Sequence, residues 1–372
     1  MATFTETVRT GTVSRRTAMK TGIMAAIGLP LLQVKAQTNQ SAAGMADSSL
    51  KTTPGLLALI RDPILNSALY HSPRLRDPEI SPDGAISVNA RWERGEAAVW
   101  FVELQRYAGD LIQAGIGAGD LALVQRAIPA IRWGFSKQGP AGDFPGTGAP
   151  FHSTEIFVAD IARGLSLLKQ AGQAQFAGMV TEFTPRLQMA ARWLARPDIS
   201  EMGRSQNAPF THRNYILATA LGITAELAGD AELKVAAEAC VRRGLQLQRA
   251  DGVNPEKEGF DVNYQSAGLL YAARYYPSCT DIALRTGLVG MLQKGGGWLR
   301  NRVGEDGNLV VVGSTRVGGQ EKQRWGKIKS VNYMEVLQAF CFAGTITGED
   351  KFRQTASLIA HAHAPIGPDE LA

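Results

Sequence analysis

Three cysteines in 372 residues cannot staple a fold. Cys240, Cys279 and Cys341 lie far apart and allow at most one disulfide, so no disulfide scaffold is expected. Histidine is equally scarce, at five residues, and His361 and His363 are two apart, which on a helix points them to different faces. No structural zinc follows. No cofactor is expected, and calcium stays open without a residue pattern to support it. The chain also lacks strand–helix alternation, which excludes a doubly wound sheet. No phosphate-cradling glycine loop and no G-x-S-x-G elbow is present, so kinase and esterase chemistry find no support. Past the N-terminus no apolar run is long enough to span a bilayer, and stable membrane insertion is not expected.

The N-terminus reads as an export signal rather than fold. "TVSRRTAMKTGIMAAIGLPLLQVKA" sets a basic pair before a short apolar segment, Gly22 to Leu32, with Ala36 as a small residue for cleavage. "SRRTAMK" resembles a twin-arginine signal, with Arg15 and Arg16 as the pair and Ala18 where that pattern prefers an aromatic residue or Leu. Residues 1–36 are thus assigned to export, 37–50 to a flexible linker, and 51–372 to one catalytic domain in the periplasm or outside the cell. Arg9, Arg15, Arg16, Lys20 and Lys35 against Glu6 give the signal a net charge of +4, so the +5 of the whole chain falls to +1 without it. The basic balance therefore does not argue for a nucleic-acid partner.

What is present is helix after helix. Apolar residues recur at three and four through roughly 52–68, 96–115, 117–136, 152–170, 173–195, 212–229, 231–249, 261–276, 280–294, 331–346 and 349–363. Gly or Asp-Gly punctuation ends several of them, as in "LAGDAEL" and "TGEDKF". Only "NLVVVGSTR" and "ISVNARW" have strand character. Helices come in pairs, and the longer loops "SKQGPAGDFPGTGAPFHSTE", "ISEMGRSQNAPFTHRN", "GVNPEKEGFDVNYQ" and "VGSTRVGGQEKQRWGKIKSVNY" each precede the first helix of a pair. Alternate loops of a hairpin series fall at one end. The expected fold is all-α, an (α/α) toroid of about five to six helical hairpins ringing one cleft, with a small β-hairpin excursion near 308–320. A TPR- or HEAT-like scaffold would need a fixed-period repeat, which the sequence does not show.

The four loops mix aromatic platforms with polar hydrogen bonders, including Phe144, Trp325 and Tyr333, a lining suited to a sugar's apolar faces and hydroxyl edges. Four loop–helix junctions share a pattern, "FHSTE", "THRNY", "DVNYQ" and "SVNYME". It sets His152, His212, Asn263 and Asn332 in equivalent places and suggests a common cleft floor. Asp143 lies between two glycine-bearing turns as a substrate ligand, and Arg316, Lys327 and Lys329 suit a polyanionic sugar.

"DGVNPEKEGFDVNYQSAGLLYAARYY" resembles stretches of the (α/α)-toroid polysaccharide lyases and related six-hairpin glycosidases, which pair an Asp-Gly turn and polar loop with a helix opening on tyrosine. The resemblance covers about 200 residues at the level of architecture. In such lyases an Asn or Arg neutralises a uronate carboxyl group, a His or Tyr takes the C5 proton, and a Tyr protonates the leaving oxygen. Mapped by residue type, this implies Asn207 with Arg204 or Arg213, His212, and Tyr264 or Tyr215. Many of these lyases continue into a C-terminal β-sandwich, which is not expected here.

Elementary chemistry suits that assortment. A proton beside a carboxylate is barely acidic until amide or guanidinium donors offset the charge, and they matter most as enolate-like charge develops. Histidine can take that proton near neutral pH, and a cation beside a tyrosine would lower its pKa for acid catalysis. The expected function is β-eliminative cleavage of an acidic polysaccharide or oligosaccharide by a monomer or weak oligomer. Two alternatives compete. An inverting hydrolase would use carboxylates from Asp143, Glu155, Glu256, Glu258 and Asp261; a periplasmic oligosaccharide-binding protein would use the cleft without chemistry. Each acid also has an innocent task, Asp261 as the N-cap of a helix from Val262 and Asp143 as a turn residue.

Overall fold

The computed structural model describes residues 54–76, 79–323, 326 and 328–364. The expected export segment (1–36) and linker (37–50), together with Trp325 and Lys327, lie outside the described residues. The chain opens with short helices, α1 (Leu56–Leu59), α2 (Pro63–Tyr70), α3 (Pro73–Arg76) and α4 (Val88–Glu93). Longer ones follow: α5 (Tyr107–Ala118), α6 (Leu121–Ser136), α7 (Pro150–Gln170), α8 (Ala177–Ala195), α9 (Pro197–Asn207), α10 (His212–Ala228) and α11 (Ala231–Leu247). The last are α12 (Val262–Tyr275), α13 (Ile282–Arg300), α14 (Tyr333–Thr347) and α15 (Asp350–Ala362). None of the described helices is long and apolar enough to cross a membrane.

The pairing has local causes. α10 ends at Gly229, in the left-handed region at φ 68°, and Asp230 then caps α11 by accepting from the backbone N–H groups of Glu232 and Leu233. Within each pair the two helices differ in burial. α10 is buried on nearly every face from Tyr215 to Ala225, whereas α11 buries one stripe, Leu233, Ala237, Val241 and Gly244. The inner members pack in succession, α5 on α7, α7 on α10, α10 on α12 and α12 on α14, while α14 also meets α2.

Two expectations are corrected. The described residues form an all-α helical bundle with no strand, in place of a toroid with a β-hairpin excursion. Between 308 and 320 there are turns and isolated bridges only, Phe260 with Ser314 and Leu309 with Val303. The consecutive valines of "NLVVVGSTR" have strand composition, but Val310 and Val312 are exposed and no strand among the described residues offers a ladder. "ISVNARW" is likewise mostly helix α4. Its Asn89 side chain is spent inside the fold, donating to the Phe101 carbonyl at 2.9 Å and accepting from the Phe101 N–H at 2.8 Å. The three cysteines are free thiols.

Candidate functional site

The segment before α10 is laced to the loop before α12. The Thr211 hydroxyl donates to the Pro255 carbonyl at 2.7 Å, and its backbone N–H reaches the same oxygen at 3.2 Å. Phe210 and Glu256 form a bridge. This lacing sets the first residue of α10 against Glu256. Nδ1 of His212 donates a hydrogen bond to the Glu256 carboxylate, with both side chains almost fully buried. That bond fixes the tautomer, leaving Nε2 as the ring's acceptor.

Asp261 builds the next wall. One carboxylate oxygen caps α12 through the N–H groups of Asn263 at 3.0 Å and Tyr264 at 3.1 Å. The other accepts from the N–H groups of Arg316 at 2.8 Å and Val317 at 2.9 Å. The helix start and the 314–317 loop are thereby locked together, which lays the Arg316 guanidinium 3.8 Å from the Tyr264 ring centroid. The Tyr264 ring in turn lies 4.7 Å from the imidazole of His212. Asn263 accepts from the Asn332 N–H at 2.7 Å, so the junctions before α12 and α14 are joined too.

These groups face one cavity of about 270 Å³, whose wall includes His152, His212, Arg213, Asn263, Tyr264, Arg316 and Asn332. All four equivalent junction residues are among them. Arg213 donates to Glu155 at 2.8 Å and to Nε2 of His152 at 2.8 Å, while Nδ1 of His152 lies 3.3 Å from the same Glu155 oxygen. Because Nε2 accepts from arginine, the proton of neutral His152 belongs on Nδ1. Burial pushes the Tyr264 phenol up to about 12, although Arg316 and Arg213 pull the other way. The expected lowering by a neighbouring cation is therefore corrected. Desolvation outweighs it, and Tyr264 holds its proton at neutral pH.

Other expected residues lie elsewhere. Tyr215 faces away into the core, fully buried against Gly244 of α11, where an added Cβ would stand 2.7 Å from the ring; burial drives its phenol far above the usual range. It shares the helix with His212 but not the cavity. Asn207 and Arg204 belong to α9 and border a separate small cleft with Phe151 and Arg243. Arg204 is exposed and pairs with Glu201. Phe144 is core, edge-on to Phe157 at 5.2 Å between centroids, and is no sugar platform. Asp143 sits in a turn closed by the Gly139 N–H to its own carbonyl at 2.8 Å, off the cavity wall. Asp261 has both oxygens taken by backbone and has no surface to offer a ligand. Tyr333 anchors the 308 loop, accepting from the Leu309 N–H at 3.1 Å and donating to Asn308 at 3.2 Å.

Sequence reasoning missed Glu103, Arg106, Glu321 and Glu335, which also line the cavity. Glu103 and Arg106 fall in a 3₁₀ turn, Val102–Arg106, hidden inside an apolar period. Glu335 stands three after the cap Asn332, where an acid has an ordinary helix-start role. Burial raises its carboxyl above the usual range, and Arg106 and Arg274 oppose that rise. Among the described residues no cluster of three or more His, Cys, Asp or Glu is arranged to hold a metal. Searches for a matching family model, a matching curated protein and a matching solved structure return none.

Proposed function

We propose that this chain is a lyase that cleaves a uronate-containing polysaccharide or oligosaccharide by β-elimination, acting in the periplasm or outside the cell. The observation carrying this reading is His212, oriented by the buried Glu256, beside a protonated Tyr264 lying under Arg316. Nε2 of His212 takes the proton from C5 of the uronate. The electron pair left behind forms the C4–C5 double bond, and the C4–O bond breaks. The Tyr264 hydroxyl delivers its proton to the departing oxygen, and the Arg316 guanidinium steadies the phenolate that forms. Arg213 and the Asn263 amide offset the uronate carboxylate as charge spreads onto it.

Support for hydrolysis is weaker, because its expected acids are engaged. Asp261 accepts four backbone N–H groups, Glu155 is held by Arg213 and His152, and Asp143 is off the wall. Weighing the products of digestion on a panel of uronate oligosaccharides tests the reading. Elimination gives fragments whose masses sum to that of the substrate. Fragments heavier by one water would refute it and move the chemistry to Glu103 and Glu335. Binding without conversion would leave an oligosaccharide-binding protein.

A further inference from the structure

The loop between α13 and α14 brings its own carboxylate into the cavity. Glu321 accepts from Nε of Arg316 at 2.6 Å and from Nζ of Lys329 at 3.1 Å. Arg316 and Lys329 are largely buried, whereas Glu321 is about one-third exposed, with a side-chain exposure of 30%. All three line the same cavity as His212 and Tyr264. Two cations held out of water around one point favour an anion there, and Glu256, 4.0 Å from the Arg316 guanidinium, serves Arg316 alone. The carboxylate that meets the need arrives on a partly exposed loop, whose backbone is held where the Lys329 N–H donates to the Glu321 carbonyl at 2.9 Å and where Lys322 bridges Ile328. Arg316 itself cannot follow that loop away. Its backbone N–H is held by Asp261, and its guanidinium lies on Tyr264 at 3.8 Å and near Phe210 at 4.6 Å. The Glu321 backbone stays with Lys329, but its side chain is the most exposed of the three and is the one with solvent to turn into.

We propose that Arg316 and Lys329 form a subsite for a sugar carboxylate, and that Glu321 is an internal stand-in which the incoming carboxylate displaces. The inference rests on the reading of the cavity as a uronate site and adds which group competes for it. An incoming carboxylate repeats the geometry of Glu321, accepting from Nε of Arg316 and from the Lys329 ammonium, so the exchange conserves hydrogen bonds and charge. A neutral sugar cannot make the exchange, because expelling Glu321 for it would cost Lys329 its hydrogen-bonded carboxylate and leave Arg316 with only Glu256, 4.0 Å away. The subsite therefore selects acidic residues and rejects their esters. Burial tends to raise the Glu321 carboxyl, but the hydrogen bonds and charges of Arg316 and Lys329 bring it below the usual range, which keeps it ionised at neutral pH.

Calorimetric titration of the full chain in a Tyr264→Phe background, so that no ligand is consumed while the ring under Arg316 is kept, tests the proposal. The probes are trigalacturonate, triglucuronate and trimannuronate with their methyl esters. At least one acid should bind and its ester should not. Adding Glu321→Gln should tighten binding of that acid about tenfold, and adding Lys329→Met should weaken it about tenfold, the scale of one charge-assisted hydrogen bond. Equal affinity for acid and ester, no binding of any acid, or no tightening with Glu321→Gln would each overturn the proposal. If the wild-type chain binds the acid by this pattern but forms no unsaturated product, the lyase reading fails and the subsite stands.

Discussion

In the proposed elimination Glu256 does not meet substrate, but it orients the His212 ring. The carboxylate accepts from Nδ1 and so directs Nε2 to the substrate; an amide at the same place can present its NH₂ instead and favour the wrong tautomer. Glu256→Gln is expected to lower kcat by about 10²-fold or more while the circular dichroism spectrum stays unchanged. The sequence showed His212 as a candidate base, and its junction with α10 was legible. It could not assign Glu256 its positioning role, because the partner lies 44 residues away. Tyr215 was misread for the opposite reason. Three residues on from His212 it shares a helix side in a simple projection, but α10 is buried all round and that side faces α11.

At the scale of elements, caps were the most readable feature. Asp230 and Asp261 both stand where helix-start rules place them. What the rules could not give is the second task of Asp261, tying α12 to the loop that carries Arg316. Asp261→Ala removes the cap and leaves the Arg316 and Val317 N–H groups without their acceptor, so it should cost about 2–4 kcal/mol in urea unfolding. Activity should fall with it, since Arg316 loses its anchor. The strand expectations failed at this scale too. The run of valines at 310–312 supplies β propensity, but a strand needs a neighbour for its backbone groups.

Across the whole molecule, a buried polar network beneath the cavity joins helices that an apolar pattern alone would treat as interchangeable. Asp160 of α7 accepts from Arg163 at 3.0 Å, from Arg274 of α12 at 2.9 Å and from the Tyr271 hydroxyl at 2.7 Å. Arg163 also donates to Asp110 of α5 at 2.8 Å, and Arg274 to Gln338 of α14 at 3.1 Å. Helical periodicity showed that these helices exist and pair, but charged residues on inner faces read as noise until the bundle is assembled. Burial would raise the Asp160 carboxyl, but Arg274, Arg163 and the Tyr271 hydrogen bond hold it below the usual range. Its stabilisation is therefore complete above the unfolded carboxyl value, roughly 3.9, and is lost as pH falls through the lower folded one. Asp160→Asn should cost about 3 kcal/mol at neutral pH, since it leaves two buried guanidinium groups to share Asp110 as their remaining carboxylate. Thermal melts taken from neutral pH into acid should show a shallower decline for the variant than for the native chain.

The proposed elimination in the cavity of His212, Tyr264 and Arg316 is read by ultraviolet absorbance while the protein is incubated with uronate polysaccharides. A steady rise from the unsaturated uronate end is expected, abolished by His212→Ala and by Tyr264→Phe. New reducing ends with no rise in absorbance would contradict it.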